Sequence, residues 1–259
     1  GRSLVFEGLL SLVSLGLPKL VEAPGDVLLN NVGSSPLALD LAALETVGGQ
    51  LRLEGVWTET LDGLSNLRTV RGDLVLFSNP LLIEIDALAG VETIEGRLEL
   101  LSNQRLRSAD FRSLGELGIS RDGSSVYCNG VPSLTRLDLR SLGEIPGNVV
   151  LEGLGNEAGT PLALNFDSLH TVGGFLHLER LGNLENLDAF RSLRRAGEIE
   201  ILNTAICQAN GLAGLEEVSS RVAIIGHDFL RSIDLRSLRT VGVTAGGRSI
   251  ELVELPSLA

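Results

Sequence analysis

The chain has 259 residues, 44% hydrophobic but only 3% aromatic, with 31 Gly, no Met and a formal net charge of −12. That charge argues against nucleic acid or an anionic membrane as partner, since either demands a basic face, and no apolar run is long enough to span a bilayer. The core must come from Leu, Val and Ile, and the many Gly call for tight turns.

In chain order, short alternating segments begin at Leu4 and Val27. They recur as Gly-x-Leu-x-Leu in residues 49–53, 72–76 and 96–100, then more weakly at Val126 and Val149. The pattern returns in residues 174–178 and, with Ile for Leu, 197–201, and again at Val222 and Ile250, at spacings of 23 to 28 residues. Alternation with period two marks a strand with one buried face. The Gly ahead of each strand is read as a corner. After the strands, Asn79, Asn103 and Asn203 are expected to hold equivalent places and to satisfy the backbone of the bend. Further on in each unit come Leu61-Asp62, Ile85-Asp86, Leu137-Asp138 and Ile233-Asp234, where the Asp is expected to cap the N–H groups that follow. A closing Thr-Val or Thr-Ile precedes the next Gly, as at Thr46-Val47 and Thr93-Ile94.

One unit cannot bury its own leucines, but stacked units can, at roughly 4.8 Å per turn. The spacing therefore predicts an all-β fold, a parallel β-helix or solenoid of about ten leucine-rich turns with little or no helix. A longer period lies over the short one: residues 36–49 match 161–174 and residues 106–114 match 230–238. Two five-turn blocks, 1–121 and 122–259, are expected to be continuous through the polar stretch at 119–125. The chain opens at Gly1 without a signal-peptide pattern and neither end carries a polar cap, which reads as a piece of a longer protein, as ends that stack on other copies or as ends that pack on other proteins.

Residues 67–79 carry a Leu-x-x-Val-x-Gly-x-Leu-x-Leu-x-x-Asn run from Leu67 to Asn79. This run resembles the receptor L-domain repeat of the insulin and epidermal-growth-factor receptor ectodomains, which is also found in glycolipid-anchored fungal wall proteins and in bacterial surface proteins. The resemblance extends over almost the whole chain at a handful of positions per turn. It implies a right-handed β-helix, an extracellular or cell-surface setting and binding without catalysis. Only two Cys are present, no cysteine-rich module occurs and no Asn lies in a glycosylation sequon. These departures favour a bacterial surface or secreted protein over an animal receptor.

The expected register gives the main strands two outward columns. Val75, Phe77 and Leu101 fall together on that face, as do Leu202, Ile225 and Val253, and both groups are candidate contacts for a protein or glycan ligand. Glu152 and Glu179 fall one turn apart beside His177. That spacing would suit a retaining glycosidase or two ligands of a cation, but the plainer reading is a pair of solvated carboxylates aided by Arg180. The primary expectation is a recognition module and not an enzyme, with no cofactor. The alternatives are a structural subunit that stacks end to end and, remotely, a polysaccharide-active enzyme. Residues 153–159 are Gly-rich, but Thr160-Pro161 follows in place of the helix that a dinucleotide loop requires. Arg112 and Arg140 are read as solvated arms bridging to nearby acids, with an anion grip as the alternative. His170, His177 and His227 are too scattered for a zinc site. Cys128 is expected inside and Cys207 near an outer bend, both as free thiols.

Overall fold

The computed structural model describes residues 3–155, 160–244 and 246–258. The chain forms an all-β parallel solenoid, as the repeat predicts. Its main ladder runs through β1 (Leu4–Glu7), β2 (Val27–Asn30), β3 (Leu51–Glu54), β4 (Leu74–Phe77), β5 (Leu98–Leu101) and β6 (Ser124–Val131). It continues through β7 (Asn148–Leu154), β8 (Thr171–Glu179), β9 (Arg195–Leu202), β10 (Val222–Ile225) and β11 (Ile250–Val253). Every neighbouring pair is parallel, and residues one repeat apart stand side by side, as with Leu51, Leu74 and Leu98. The ladder passes through 119–125 without a break, because β5 pairs directly with β6. The longer spacing there is taken up by a turn in which Asp122 Oδ1 accepts from the Ser124 N–H at 2.9 Å.

Short two- and three-residue strands make further parallel ladders on other sides of the coil. Thr46–Val47, Thr69–Val70 and Thr93–Ile94 stack in one of them. Ser108–Asp110, Arg136–Asp138 and Ala163–Asn165 stack in another. Between the ladders runs one core. Its inward columns, from Val27 and Leu29 to Val222 and Ile224, are at most 1% exposed. Each such side chain rests on its counterpart one rung away, so burial that a single unit lacks is supplied by its neighbours. Cys128 occupies an inward place and is buried, Cys207 is exposed, and both are free.

The corners follow two rules. At the end of each main strand the backbone enters the left-handed region, directly after the strand at Gly8, Asn31, Gly55, Ser78, Ser102, Arg180, Asn203, Gly226 and Glu254 and within its last two residues at Gly130 and Gly153. One residue later Asn79 and Asn103 are buried and form an amide ladder. Asn79 Oδ1 accepts from the Val56 N–H at 2.9 Å, Asn103 Oδ1 accepts from the Asn79 N–H at 3.0 Å, and Asn103 Nδ2 donates to the Leu76 carbonyl at 2.9 Å. The expected equivalence of Asn203 with these two is wrong by one place. Asn203 sits at the left-handed corner with φ 51°, which Asn tolerates better than most residues, and Thr204 takes the inner position.

Before the strand, the Gly is required by space, not by φ. A Cβ at Gly49 would lie 2.2 Å from Asp26 Oδ1, and one at Gly96 would lie 2.2 Å from Asp73 Oδ1. Those oxygens accept from the Gln50 and Arg97 N–H groups of the next turn, each at 2.9 Å.

The capping role expected of Asp holds at Asp138 and Asp234, whose Oδ1 atoms accept from the N–H two residues on at 3.3 and 3.1 Å. Asp40 and Asp110 act in the same way. It does not hold at Asp62 and Asp86. These residues open short 3-10 turns, Asp62–Leu64 and Asp86–Gly90, without a side-chain cap, and their carboxylates instead accept from the Thr60 and Ser108 hydroxyls.

Candidate functional site

The outward face of the main ladder has the two columns that the register predicts. Arg52, Val75, Glu99, Tyr127, Val150, His177, Glu200, Ala223 and Glu251 are Cα partners in succession. Glu54, Phe77, Leu101, Asn129, Glu152, Glu179, Leu202, Ile225 and Val253 form the second column through the same pairs.

Two apolar groups lie on this face. In the first, Phe77 and Leu101 are half-buried, but Val75 is 0% exposed, contrary to the expectation that it is available for contact. Val75 is flanked in its column by the longer Arg52 and Glu99, and Arg52 leans over the Phe77 ring at 5.8 Å from its centroid. In the second group Leu202 and Ile225 are half-buried and Val253 is 44% exposed.

Beside Val75, Glu99 is nearly buried and ion-paired with Arg97, which also reaches Asp122 at 2.6 Å. Burial pushes the Glu99 carboxyl above its ordinary value, against the pull of Arg97.

Between the apolar groups runs a polar chain. Asn129 Nδ2 donates to Glu152 Oε2 at 2.8 Å. Arg180 pairs with Glu152 and, at 3.0 Å, with Glu179. The His177 ring stands between Glu179, 3.2 Å from Nε2, and Glu200, 3.0 Å from Nδ1. Arg221 pairs with Glu200, with Glu198 at 2.5 Å and with Glu251 at 3.2 Å, and Arg248 reaches Glu251 at 3.0 Å. Hydrogen bonds from Arg248 and Arg221 hold the Glu251 carboxyl below its ordinary range.

The structure thus brings Glu152, His177 and Glu179 together, and the guanidinium of Arg180 ties the two carboxylates to each other. Arg221, the hub of the far half, was missed by sequence reasoning. It stands one residue ahead of β10, as Arg97 stands ahead of β5, and carrying the columns back one place would have found it. The pairs of the exposed Arg180 and Arg248 contribute little stability individually. What they do is neutralise the acidic column locally.

On another side of the coil Arg112 and Arg140 reach back to Asp110 and Asp138, and Arg136 bridges both acids. These are the bridged arms expected from sequence. Burial works to raise both Asp carboxyls, but the hydrogen bonds from Arg112, Arg136 and Arg140 outweigh it and hold them below the ordinary carboxylate range. Among the described residues no group of three or more His, Cys, Asp or Glu side chains is arranged to hold a metal ion. In the Gly-rich stretch, Asn156, Glu157, Ala158 and Gly159 lie outside the described residues.

No protein-family model and no solved structure matches the chain significantly. Among curated proteins it is similar to Protein ecm33 of Aspergillus fumigatus, with 29% identity over 142 residues. The aligned stretch covers 53% of this chain and 33% of the relative, so the match spans about a third of that protein's length. The relative is fungal and the likeness is distant, so what the chain shares with a known protein is a repeat carried on about half of its length.

Proposed function

We propose that this chain is a non-enzymatic recognition segment of a cell-wall or cell-surface protein, and that it holds a protein partner on the outward face of the main ladder. The observation that carries this reading is the pairing of Phe77 and Leu101 as half-buried apolar neighbours on the parallel ladder, with Leu202 and Ile225 repeating the arrangement further along. Apolar groups framed by charge on a rigid surface are what partner sites are made of.

The Glu side chains of the two columns, Glu54, Glu99, Glu152, Glu179, Glu200 and Glu251, are each paired with an Arg of the same face, so the frame around the apolar groups is locally neutral and a partner is selected by its apolar surface. A cell-wall or surface setting draws on the likeness to a fungal protein and on the L-domain-like repeat. A fungal setting now has more support than a bacterial one. Absence of catalysis draws on Arg180, which engages both carboxylates that a retaining glycosidase would need free.

Protection mapping of the chain in its native wall or surface preparation tests the reading. Phe77, Leu101, Leu202 and Ile225 are expected to be shielded there and open in the isolated chain, and the double substitution F77D/L101D is expected to release the chain. Shielding confined to the ends would overturn it in favour of end-on association. Light scattering at high concentration checks that association, and a strict monomer removes it.

A further inference from the structure

On the side of the coil away from the main ladder, the strand Ala163–Asn165 and the 3-10 turn Asp188–Phe190 of the next repeat border a groove of about 420 Å³. One difference between the two halves of the chain lies at its edge. In the first half of the chain the corresponding strand, Ala38–Asp40, is followed by the turn Asp62–Leu64. There Gly63 approaches so closely that a Cβ on it would lie 2.0 Å from the Leu39 carbonyl oxygen. Gly211 makes the same approach to the Leu187 carbonyl. The place of Gly63 is held by Ala189 in the second half, as it is by Ala87 in the turn after Gly63, and a residue with a Cβ cannot make the approach that Gly63 makes. The counterpart hollow in the first half is about 290 Å³, and its lining stops at Ala38 and Thr60 without reaching Leu39 or Gly63.

The opened groove is furnished with hydrogen-bonding groups. Asn165 and Asn186 have their Oδ1 atoms tied to the N–H groups of Asp167 (3.2 Å) and Asp188 (2.9 Å). That orientation leaves both Nδ2 groups as donors. The carboxylates of Glu185 and Asp188 line the groove and have no ion-pair partner among the described residues. Arg140 and Arg191 are already matched by Asp138 and Asp167, so the groove offers no free cation to select an anion. Its lining carries three Arg against four acids, Asp138, Asp167, Glu185 and Asp188, a balance of one negative charge and too little to hold a polycation. Leu164, Pro161 and Ala189 supply aliphatic surface.

We infer that this groove binds a neutral oligosaccharide of about two or three rings, whose hydroxyl groups accept from Asn165 and Asn186 and donate to Asp188. A hydroxyl is donor and acceptor at once, so alternating amides and carboxylates suit a row of hydroxyls better than they suit any singly charged ligand. The C–H faces of the rings rest on Leu164 and Ala189. No aromatic side chain lines the groove, so binding is weak and of millimolar order. The site is independent of the main-ladder face and stands or falls without it.

The test is saturation-transfer NMR on the whole chain with cellotriose, laminaritriose, mannotriose and tri-N-acetylchitotriose, each at millimolar concentration, and with tri-lysine as the charged control. At least one trisaccharide is expected to receive saturation. Two variants are compared: Ala189→Gly, which lets the turn close over Leu164, and Asp188→Ala, which removes an acceptor that has no ion-pair partner among the described residues. Both are expected to weaken binding about tenfold or more, with the melting temperature of Asp188→Ala unchanged. If Ala189→Gly fails to fold, Asp188→Ala decides alone. Silence from all four trisaccharides, binding indifferent to the variants, or binding of tri-lysine alone would overturn the inference.

Discussion

His227 takes the inner-corner place that Asn79 and Asn103 hold in other turns. It is 0% exposed. Its Nε2 lies 3.0 Å from the Ile201 carbonyl oxygen, the counterpart of the Leu76 carbonyl that Asn103 serves, and Nδ1 lies 3.4 Å from the Thr204 nitrogen. Nδ1 also lies 3.2 Å from the Thr204 hydroxyl and 3.1 Å from the Thr204 carbonyl oxygen, so the two ring nitrogens meet the corner backbone where an amide meets it in other turns. His227→Asn is therefore expected to keep stability within about 1 kcal/mol, whereas His227→Ala strands a buried carbonyl and a buried N–H and costs about 2–4 kcal/mol. Denaturant melts of the two variants decide, and an alanine variant as stable as the parent would refute the corner ladder.

At the scale of the element, the repeating corner depends on an oxygen and a missing side chain. Asp26, Asp73 and Asn148 each present Oδ1 to the N–H of the next turn, and Gly49, Gly96 and Gly174 leave the space that this needs. Gly49→Ala places its methyl 2.2 Å from Asp26 Oδ1. The oxygen must leave the Gln50 N–H, so a loss of about 1–3 kcal/mol is expected. The companion Asp26→Ala/Gly49→Ala should be less than additive, because the first change removes the atom that the second collides with. Strict additivity in the four melts would contradict this account of the glycine.

For the whole molecule, cohesion comes from each rung lying on the next, with no element that closes the core alone. Leu74 and Leu98 are register partners one repeat apart. Deleting residues 74–97 joins Asp73 to Leu98 and removes one whole turn without shifting any column. The shortened chain is expected to keep its far-UV spectrum per residue and to melt in one transition a few degrees lower, as a nearest-neighbour stack should. Deleting residues 74–86 leaves half a turn and should abolish the cooperative melt. Equal behaviour of the two deletions would show that the rungs are not interchangeable units.

Much of the ladder was legible from period-two alternation and from spacing, because a parallel stack places identical positions side by side wherever the repeat length is kept. Both outward columns, the free cysteines and the meeting of Glu152, His177 and Glu179 follow from that alone. The misreadings, Val75 as exposed, Asn203 as an inner-corner amide and Asp62 and Asp86 as caps, all turn on side chains one place or one rung away. Those depend on which neighbour is longer and on which residue takes the left-handed corner. The groove beside Ala189 belongs to the same class. The sequence by itself determined the coil, its register and its buried columns, since these need only a repeated pattern and the demand that leucine leave water. The tertiary structure alone decided which outward side chains are covered, how Arg180 and Arg221 join carboxylates from separate turns, and where a groove opens between two turns, because each depends on residues that the repeat does not make alike.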